Sequence, residues 1–189
     1  GYACKTIGLS GGLTVGNRAG LCPEAEVLTG MSSLSFNDWG NRIVQSVEIT
    51  WEGMPITLLH THMTFPHQNQ HDPVMRREQA RKLGEHVASL PHAAIVLGDL
   101  NGNVTDVAVR RLLDIGGLTP MPDDTDGKGW VSHLAHNGAL MACDLMATKG
   151  NLRVKHWKLG DAVSQEQLLA GSGISDHRPL HARIMRMRQ

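Results

Sequence analysis

The stretch Ala93-Ala94-Ile95-Val96-Leu97-Gly98-Asp99-Leu100-Asn101-Gly102 places two polar residues directly after a short apolar run. The apolar run is typical of a buried strand. Asp99 and Asn101 are two positions apart, so in extended geometry their side chains point to the same side. A carboxylate and a carboxamide placed there can orient a water molecule or hold a phosphoryl oxygen beside a metal ion. The alternative is that they only begin a turn, as Asp and Asn before Gly often do.

Other segments predict more strands around this one. The β-branched residues between Arg42 and Trp51 predict a strand, Glu52-Gly53 predicts a turn, and Pro55 to Thr61 is its hairpin partner. A further apolar strand is predicted from Leu140 to Thr148. Leu180 to Met187 predicts the last strand, placed at a sheet edge because Arg and His interleave with its apolar residues.

Two helices are predicted between the strands. The first begins at Asp72-Pro73, an N-cap followed by Pro at the first helical position. Its basic residues are expected to form an ordinary solvated face: Arg76, Arg77, Arg81 and Lys82. Thr105 is expected to cap the second helix, which ends at Gly116-Gly117. Residues 118–130 are expected to form a loop. With no repeat or linker, the chain predicts one sheet-dominated α/β domain.

Two acidic residues and a histidine are candidates for a paired site. Asp144 interrupts an apolar strand, and a buried carboxylate is costly unless it is paired and hydrogen-bonded. We expect His177 as its partner, because such a pair fixes the ring tautomer and raises its basicity; backbone amides are the alternative. His177 follows Asp176 on a short loop closed by Pro179, which aims the Asp-His pair. A carboxylate such as Asp176 can bind a hard cation.

Histidines also cluster at the end of the second predicted strand and in the loop that follows it. His60 and His62 lie on one face of that strand, and His62 at its exit is the better functional candidate. A single histidine in such a place is more often a core or edge residue than a catalytic one. With His67 and His71 these histidines suggest a transition-metal site, although no helical pair spacing supports it.

The segment from Gly129 to Gly138 carries an aromatic residue, a hydroxyl and two histidines. It is either a polar hairpin or a loop facing a substrate. In the second interpretation Trp130, Ser132 and His133 bind the substrate.

Composition excludes some classes of protein. Eighteen basic residues balance eighteen acidic ones, so no global positive field favours nonspecific nucleic-acid binding. The three cysteines have no spacing typical of a zinc cluster or a disulfide framework. With no apolar run long enough for a bilayer and no signal-peptide pattern, a soluble, cytoplasmic protein is the default expectation. The oligomeric state is not predicted.

Taken in order, Thr61-His62, Gly98-Asp99-Leu100-Asn101, Asp144 and Ser175-Asp176-His177 resemble the motifs of the endonuclease/exonuclease/phosphatase superfamily. Three longer segments are similar to plant and microbial members: 34–42, 60–67 and 130–138. The resemblance implies one domain over residues 1–189 with a four-layer α/β/β/α sandwich of two mainly antiparallel sheets flanked by helices.

The resemblance also implies a chemistry: Mg²⁺-dependent hydrolysis of a phosphoester by water, with Mn²⁺ as the alternative ion. Asp99 would orient or deprotonate the water, and Asn101 would hold the water or a phosphate oxygen. His177, supported by Asp144, would bind the phosphoryl group or transfer a proton. His62 would stabilise phosphoryl oxygens or assist the leaving group, and Asp176 with Asp99 would hold the metal.

The beginning of the chain departs from the resemblance. The superfamily's first strands and its metal-binding Glu are not found, so the chain matches the later part of a typical domain and is expected to be N-terminally truncated relative to it. A phosphodiesterase, nuclease or phosphatase is the expected function, with nucleic acid, phospholipid or a small phosphate ester as the substrate. The alternative is a degenerate member that acts as a non-catalytic binding module.

Overall fold

The computed structural model describes residues 6–9, 13–15, 28–36, 42–67, 72–122, 131–135, 138–159, 177–178 and 180–187. Its strands are β1 (Thr6–Leu9), β2 (Leu13–Val15), β3 (Leu28–Ser35), β4 (Ile43–Trp51), β5 (Met54–His62), β6 (Ala93–Asp99), β7 (Thr119–Pro120), β8 (His133–Leu134), β9 (Leu140–Met141), β10 (Asp144–Lys149), β11 (Leu152–Leu159) and β12 (Leu180–Arg186). Its helices are α1 (Asp72–Ser89) and α2 (Val107–Gly116).

Two larger sheets organise these strands. One has six strands in the order β3-β4-β5-β6-β10-β7, and the other has four in the order β11-β12-β1-β2. Among the strands that the structure describes, only β5 with β6 and β1 with β12 run parallel. The described residues thus confirm the predicted class, an α/β fold with two mainly antiparallel sheets.

The predicted hairpin is present in the six-stranded sheet. Its turn residues Glu52 and Gly53 have φ angles of 48° and 73°, the left-handed pair that a two-residue hairpin turn needs. Four successive residues of β5, Ile56 to Leu59, are buried, so the centre of this strand is covered on both faces.

The core lies around β6, whose residues from Ala94 onward are all buried. Helix α1 contributes Ala80, Leu83 and Val87 to the same apolar cluster. Helix α2 also has an apolar face that packs into this cluster, with Val109 and Leu112 fully buried. Among the described residues, neither helix is long and apolar enough to cross a membrane.

Several sequence predictions about the elements are wrong in detail. Asp106, not Thr105, caps α2, because its carboxylate accepts from the backbone N–H groups of Ala108 and Val109. The strand predicted from Leu140 to Thr148 is divided into β9 and β10, and the loop predicted over 118–130 includes the short strand β7.

The last strand is not at an edge. β12 lies between β11 and β1 in the four-stranded sheet. His181 and Arg183 lie on its exposed face while Leu180, Ala182 and Ile184 are buried on the other. Interleaved charges therefore marked the solvated face of an internal strand, which one chain segment read alone cannot distinguish from an edge.

Candidate active site

Three polar side chains predicted to be functional lie in one row across the six-stranded sheet. His62 is paired in register with Asp99 across the parallel strands β5 and β6. Asp99 is in turn paired with Asp144 across the antiparallel strands β6 and β10. Directly paired residues on neighbouring strands project to the same face, so the sheet register brings together residues that are far apart in sequence.

Gly98 allows the close approach of β5 and β6 beside this row. A Cβ atom at Gly98 would lie 1.9 Å from the backbone oxygen of Thr61. The φ angle of Gly98 is +155°, which side-chain-bearing residues rarely adopt. Gly98 therefore keeps Asp99 next to His62.

His177 completes the row by bridging its two acids. Its Nδ1 lies 2.7 Å from Oδ2 of Asp144, and its Nε2 lies 3.6 Å from Oδ2 of Asp99. On the other side, Nε2 of His62 lies 3.4 Å from the same Asp99 oxygen. The expected Asp144–His177 pair is thus present, and Asp99 Oδ2 lies close to two imidazole nitrogens.

The environment of each acid suits a different task. The side chain of Asp144 is completely buried, whereas those of Asp99 and His177 are each 12% exposed and that of His62 is 50% exposed. When Asp144 is ionised, it accepts a hydrogen bond from Nδ1–H of His177, which leaves Nε2 as the ring atom that faces Asp99. The site can therefore bind and move a proton at Nε2 on its open side.

Asn101 takes part in the turn that follows Asp99. Its backbone N–H donates to Oδ1 of Asp99 at 2.9 Å, and its side-chain amide donates to the carbonyl oxygen of Met63 at 2.7 Å. Asn101 has a positive φ of 51°, which Asn tolerates better than most residues. The turn interpretation is therefore confirmed, and the turn presents Oδ2 of Asp99 to the two histidines.

Arg76 fixes this turn from behind, and here the sequence prediction was wrong. Instead of lying on a solvated face, Arg76 is 2% exposed. Its Nε and Nη2 donate to the carbonyl oxygen of Leu100 at 3.2 and 2.7 Å, and its Nη1 donates to both carboxylate oxygens of Asp106 at 2.9 and 3.0 Å. Arg76 therefore joins α1, the turn after β6 and the start of α2.

The pKa of Asp106 reflects this contact. Partial burial alone would raise the pKa of the carboxyl, but the hydrogen bond from Arg76 and those from backbone N–H groups outweigh burial and lower it. Asp106 therefore stays ionised as both the helix cap and the partner of Arg76.

Ser132 supports Asp144 from within the structure. It is completely buried, and its hydroxyl oxygen accepts from the backbone N–H groups of Cys143 and Asp144 at 3.3 and 3.2 Å. The expectation that Ser132 faces a substrate is therefore corrected to a supporting role. His133 is partly exposed and stacks on His177 with ring centroids 4.2 Å apart.

Comparisons with known proteins identify the fold that carries this row of residues. No family model and no curated protein matches the chain. Solved structures do: truncated TDP2 from Caenorhabditis elegans is 23% identical with a TM-score of 0.55, over 74% of this chain and 59% of that protein. TDP2 from D. rerio, complexed with a single-strand DNA product, is 15% identical with a TM-score of 0.66, over 87% and 70%. An endonuclease/exonuclease/phosphatase from Bacteroides vulgatus is 15% identical with a TM-score of 0.67, over 88% and 68%.

This chain has the endonuclease/exonuclease/phosphatase fold. It covers less than two thirds of the C. elegans protein and slightly more than two thirds of the other two. The row at β5, β6 and β10 brings together four residues that the sequence motifs named: His62, Asp99, Asp144 and His177.

The donor atoms at the row fit a hard cation only in part. Asp99 supplies carboxylate oxygens of the kind that Mg²⁺ prefers. Within the described residues, Asp99, Cys143 and His177 each offer one ligand atom, and these three atoms all lie within 4.8 Å of one another. Asp176, the other expected metal ligand, and Trp130, an expected substrate contact, lie outside the described residues.

The histidine cluster expected to hold a transition metal is not assembled in the described part of the chain. Nδ1 of His60 lies 3.4 Å from the amide oxygen of Gln45, whereas the His67 ring lies against Phe65 with centroids 4.7 Å apart. His62 faces Asp99 instead. The fourth member, His71, lies outside the described residues.

Sequence reasoning missed Arg76 and Cys143. For Arg76 the sequence carries no local signal, because its partners Leu100 and Asp106 lie 24 and 30 residues away along the chain. For Cys143 the signal was its position directly before the buried Asp144, although neighbouring residues on a strand normally face opposite sides.

Proposed function

We propose that this chain hydrolyses a phosphoester with an activated water molecule. The observation that supports this most is the row in which His62 and His177 approach one oxygen of Asp99 from two sides. The endonuclease/exonuclease/phosphatase fold favours the same chemistry, because it is the fold of hydrolases named for phosphoester substrates.

Each residue of the row has a task in this proposal. Oδ2 of Asp99 accepts the proton of the attacking water, whose position between the carboxylate and the phosphorus is set by the turn at Asn101. His177, protonated on both ring nitrogens, donates from Nε2 to a phosphoryl oxygen, and Asp144 stabilises the positive charge of the ring. His62, the most exposed of these residues, lies at the open side to assist the departing oxygen.

A divalent cation is part of the proposal. Asp99, together with Asp176 by resemblance, would hold Mg²⁺ or Mn²⁺, and the bound ion would neutralise charge that develops on the phosphoryl oxygens. The tasks of the two carboxylates and the two imidazoles, Asp99, Asp144, His62 and His177, follow from this chain's own atoms.

The substrate class stays at the level of a phosphodiester or phosphomonoester. The neighbour from D. rerio was solved with a single-strand DNA product, which favours testing single-stranded oligonucleotides first. The chain has a formal net charge of zero, so any nucleic-acid contact must come from a local surface.

The test is a panel of substrates with and without added metal. Bis(4-nitrophenyl) phosphate, 4-nitrophenyl phosphate and a single-stranded oligonucleotide are incubated with Mg²⁺, with Mn²⁺, or with a chelator. We expect hydrolysis that needs the cation and is lost in Asp99→Asn. Hydrolysis that persists in Asp99→Asn would show that the site is wrong. Binding of an oligonucleotide without any turnover would favour the non-catalytic alternative.

A further inference from the structure

Three different ligand atoms meet on one side of the row. Ligand atoms of Asp99, Cys143 and His177 all lie within 4.8 Å of one another. The distance between Oδ2 of Asp99 and Nε2 of His177 is 3.6 Å. Zinc bonds of about 2.0 to 2.3 Å in a tetrahedral arrangement place two ligand atoms about 3.3 to 3.6 Å apart. The Asp99–His177 pair already has that separation, and a ligand atom of Cys143 lies within 4.8 Å of both.

The surroundings of His177 match those of a zinc ligand. Its Nδ1 lies 2.7 Å from the fully buried carboxylate of Asp144. Ligating histidines usually donate their second ring N–H to a carboxylate, which fixes the ring and strengthens the ligand nitrogen. Asp144 therefore serves His177 equally well whether Nε2 meets a phosphoryl group or a metal ion.

Cys143 supplies a soft sulfur ligand, which distinguishes the group Asp99, Cys143 and His177 from a magnesium site. Its Sγ lies 3.7 Å from Oδ2 of Asp144 and 3.8 Å from Oγ of Ser132. Burial, with the nearby Asp99 and Asp144 carboxylates, raises the pKa of the thiol, so it is a neutral S–H when no metal is bound. A thiophilic ion displaces that proton to solvent as the metal–sulfur bond forms, whereas Mg²⁺ does not favour sulfur.

We propose that Asp99, Cys143 and His177 bind Zn²⁺, and that the bound ion inhibits hydrolysis by occupying Asp99 and His177. The binding half stands on the three ligands alone. The inhibitory half rests on the proposed function, because it assumes that Asp99 and His177 carry out the reaction.

Calorimetry with Zn²⁺ alone tests the binding half. Cys4 and Cys22 are the other thiols in the chain, so the reference protein carries Cys4→Ser and Cys22→Ser and keeps Cys143. We expect one zinc ion per chain, bound at least about 10-fold more weakly when Cys143→Ser is added, since even a lost supporting contact costs that much. Equal affinity in the two proteins would overturn the proposal, as would no binding to the reference protein.

Cobalt provides a direct readout of the sulfur ligand. Co²⁺ bound by a thiolate gives an intense near-ultraviolet charge-transfer absorption, which Zn²⁺ then removes by displacement. We expect this absorption in the reference protein and not in its Cys143→Ser form. A melting temperature measured without metal checks that Cys143→Ser is folded. A folded Cys143→Ser protein that keeps the band would overturn Cys143 as a ligand.

Inhibition is measured as the fraction of each protein's own Mg²⁺-supported rate that remains when Zn²⁺ is added. We expect the reference protein to lose most of its rate at one equivalent of Zn²⁺ and Cys143→Ser to need at least about 10-fold more. A rate that Zn²⁺ leaves unchanged or raises would overturn the inhibitory half. Zinc binding to a protein that hydrolyses nothing would count against the proposed function and leave the binding site standing.

Discussion

The two ends of β6 and β10 use buried polar groups in different ways. At the end that carries Asp99 and Asp144, two imidazole nitrogens lie 3.4 and 3.6 Å from Oδ2 of Asp99. At the other end, the Lys149 ammonium donates to three carbonyl oxygens at the end of α1, at 2.6 to 3.1 Å. The Lys149 bonds to backbone oxygens hold β10 to the end of α1, whereas the longer contacts of the two imidazoles with Oδ2 of Asp99 leave space for a reacting atom.

This comparison predicts that the first end governs rate and the second governs stability. We expect the largest effect from Asp99→Asn, which keeps the size of the side chain and removes the charged proton acceptor. Loss of a general base lowers kcat/KM by about 10³-fold, or about 4 kcal/mol of transition-state stabilisation. The measurement is kcat/KM on the best ester of the panel, beside a thermal melt. A melting temperature that falls sharply would mean that Asp99 is a structural residue like Lys149.

Gly98→Ala is predicted to have the next largest effect, and it damages both properties. The added Cβ would meet the Thr61 backbone oxygen at 1.9 Å, so β5 must move away from β6. We expect a loss of about 3 kcal/mol in the free energy of unfolding, from a chemical denaturation curve.

Gly53→Ala is the matched control for Gly98→Ala. Gly53 has a φ of +73° with nothing within 4 Å of an added Cβ, so only backbone strain of about 1 kcal/mol is introduced. Equal losses in the two variants would show that the close approach of β5 and β6 is unimportant.

The sequence predicted those features of the site that neighbouring residues in the chain reveal, and it missed those that depend on distant residues. An acid inside an apolar strand implies a partner, and this was enough to predict the Asp144–His177 pair. The burial of Arg76 was missed because its partners, Leu100 and Asp106, lie 24 and 30 residues away, and a basic residue on a polar helix has no local mark of burial. The internal position of β12 depends on pairing with β1 at the opposite end of the chain, which periodicity does not reveal.

Arg76→Met is the third prediction, and it tests whether a buried polar group away from the row also serves the site. The substitution removes every hydrogen bond from the guanidinium to Leu100 and Asp106. We expect a loss of about 2 kcal/mol in the free energy of unfolding, because a backbone oxygen and a carboxylate lose a charged donor. We also expect a lower kcat with little change in KM, since the turn that positions Asp99 loosens. Arg76→Lys should restore part of kcat.

Arg81→Met is the control on the same helix. Arg81 is partly exposed and pairs with Glu78 and Glu85 on the surface of α1, where ion pairs contribute little. We expect much smaller changes in unfolding and none in kcat. A loss of kcat in Arg81→Met equal to that in Arg76→Met would contradict the positioning role of Arg76.

Lys149→Met is predicted to have a smaller effect, confined to stability. It removes an ammonium that caps the carbonyl oxygens of Val87, Ala88 and Leu90. We expect a loss of about 1 kcal/mol in the free energy of unfolding. The rate per folded molecule should stay unchanged, because Lys149 lies at the end of β10 opposite Asp144. A fall in kcat/KM would break the division between the two ends.

The smallest predicted effect is a change in the pH dependence of stability in Asp106→Asn. The folded pKa of Asp106 is lowered: burial opposes this, but the Arg76 hydrogen bond and the backbone N–H bonds outweigh it. A lowered folded pKa stabilises the protein above the unfolded pKa of about 3.9, and the contribution disappears as the pH falls through the folded pKa. Asn keeps the capping oxygen and removes the charge. The difference in unfolding free energy between wild type and Asp106→Asn should therefore be constant above about pH 5 and shrink below about pH 4, measured by urea denaturation across that range. A difference that grows on acidification would show that Asp106 is held neutral in the folded protein, and the account of Arg76 as its charged partner would fail with it.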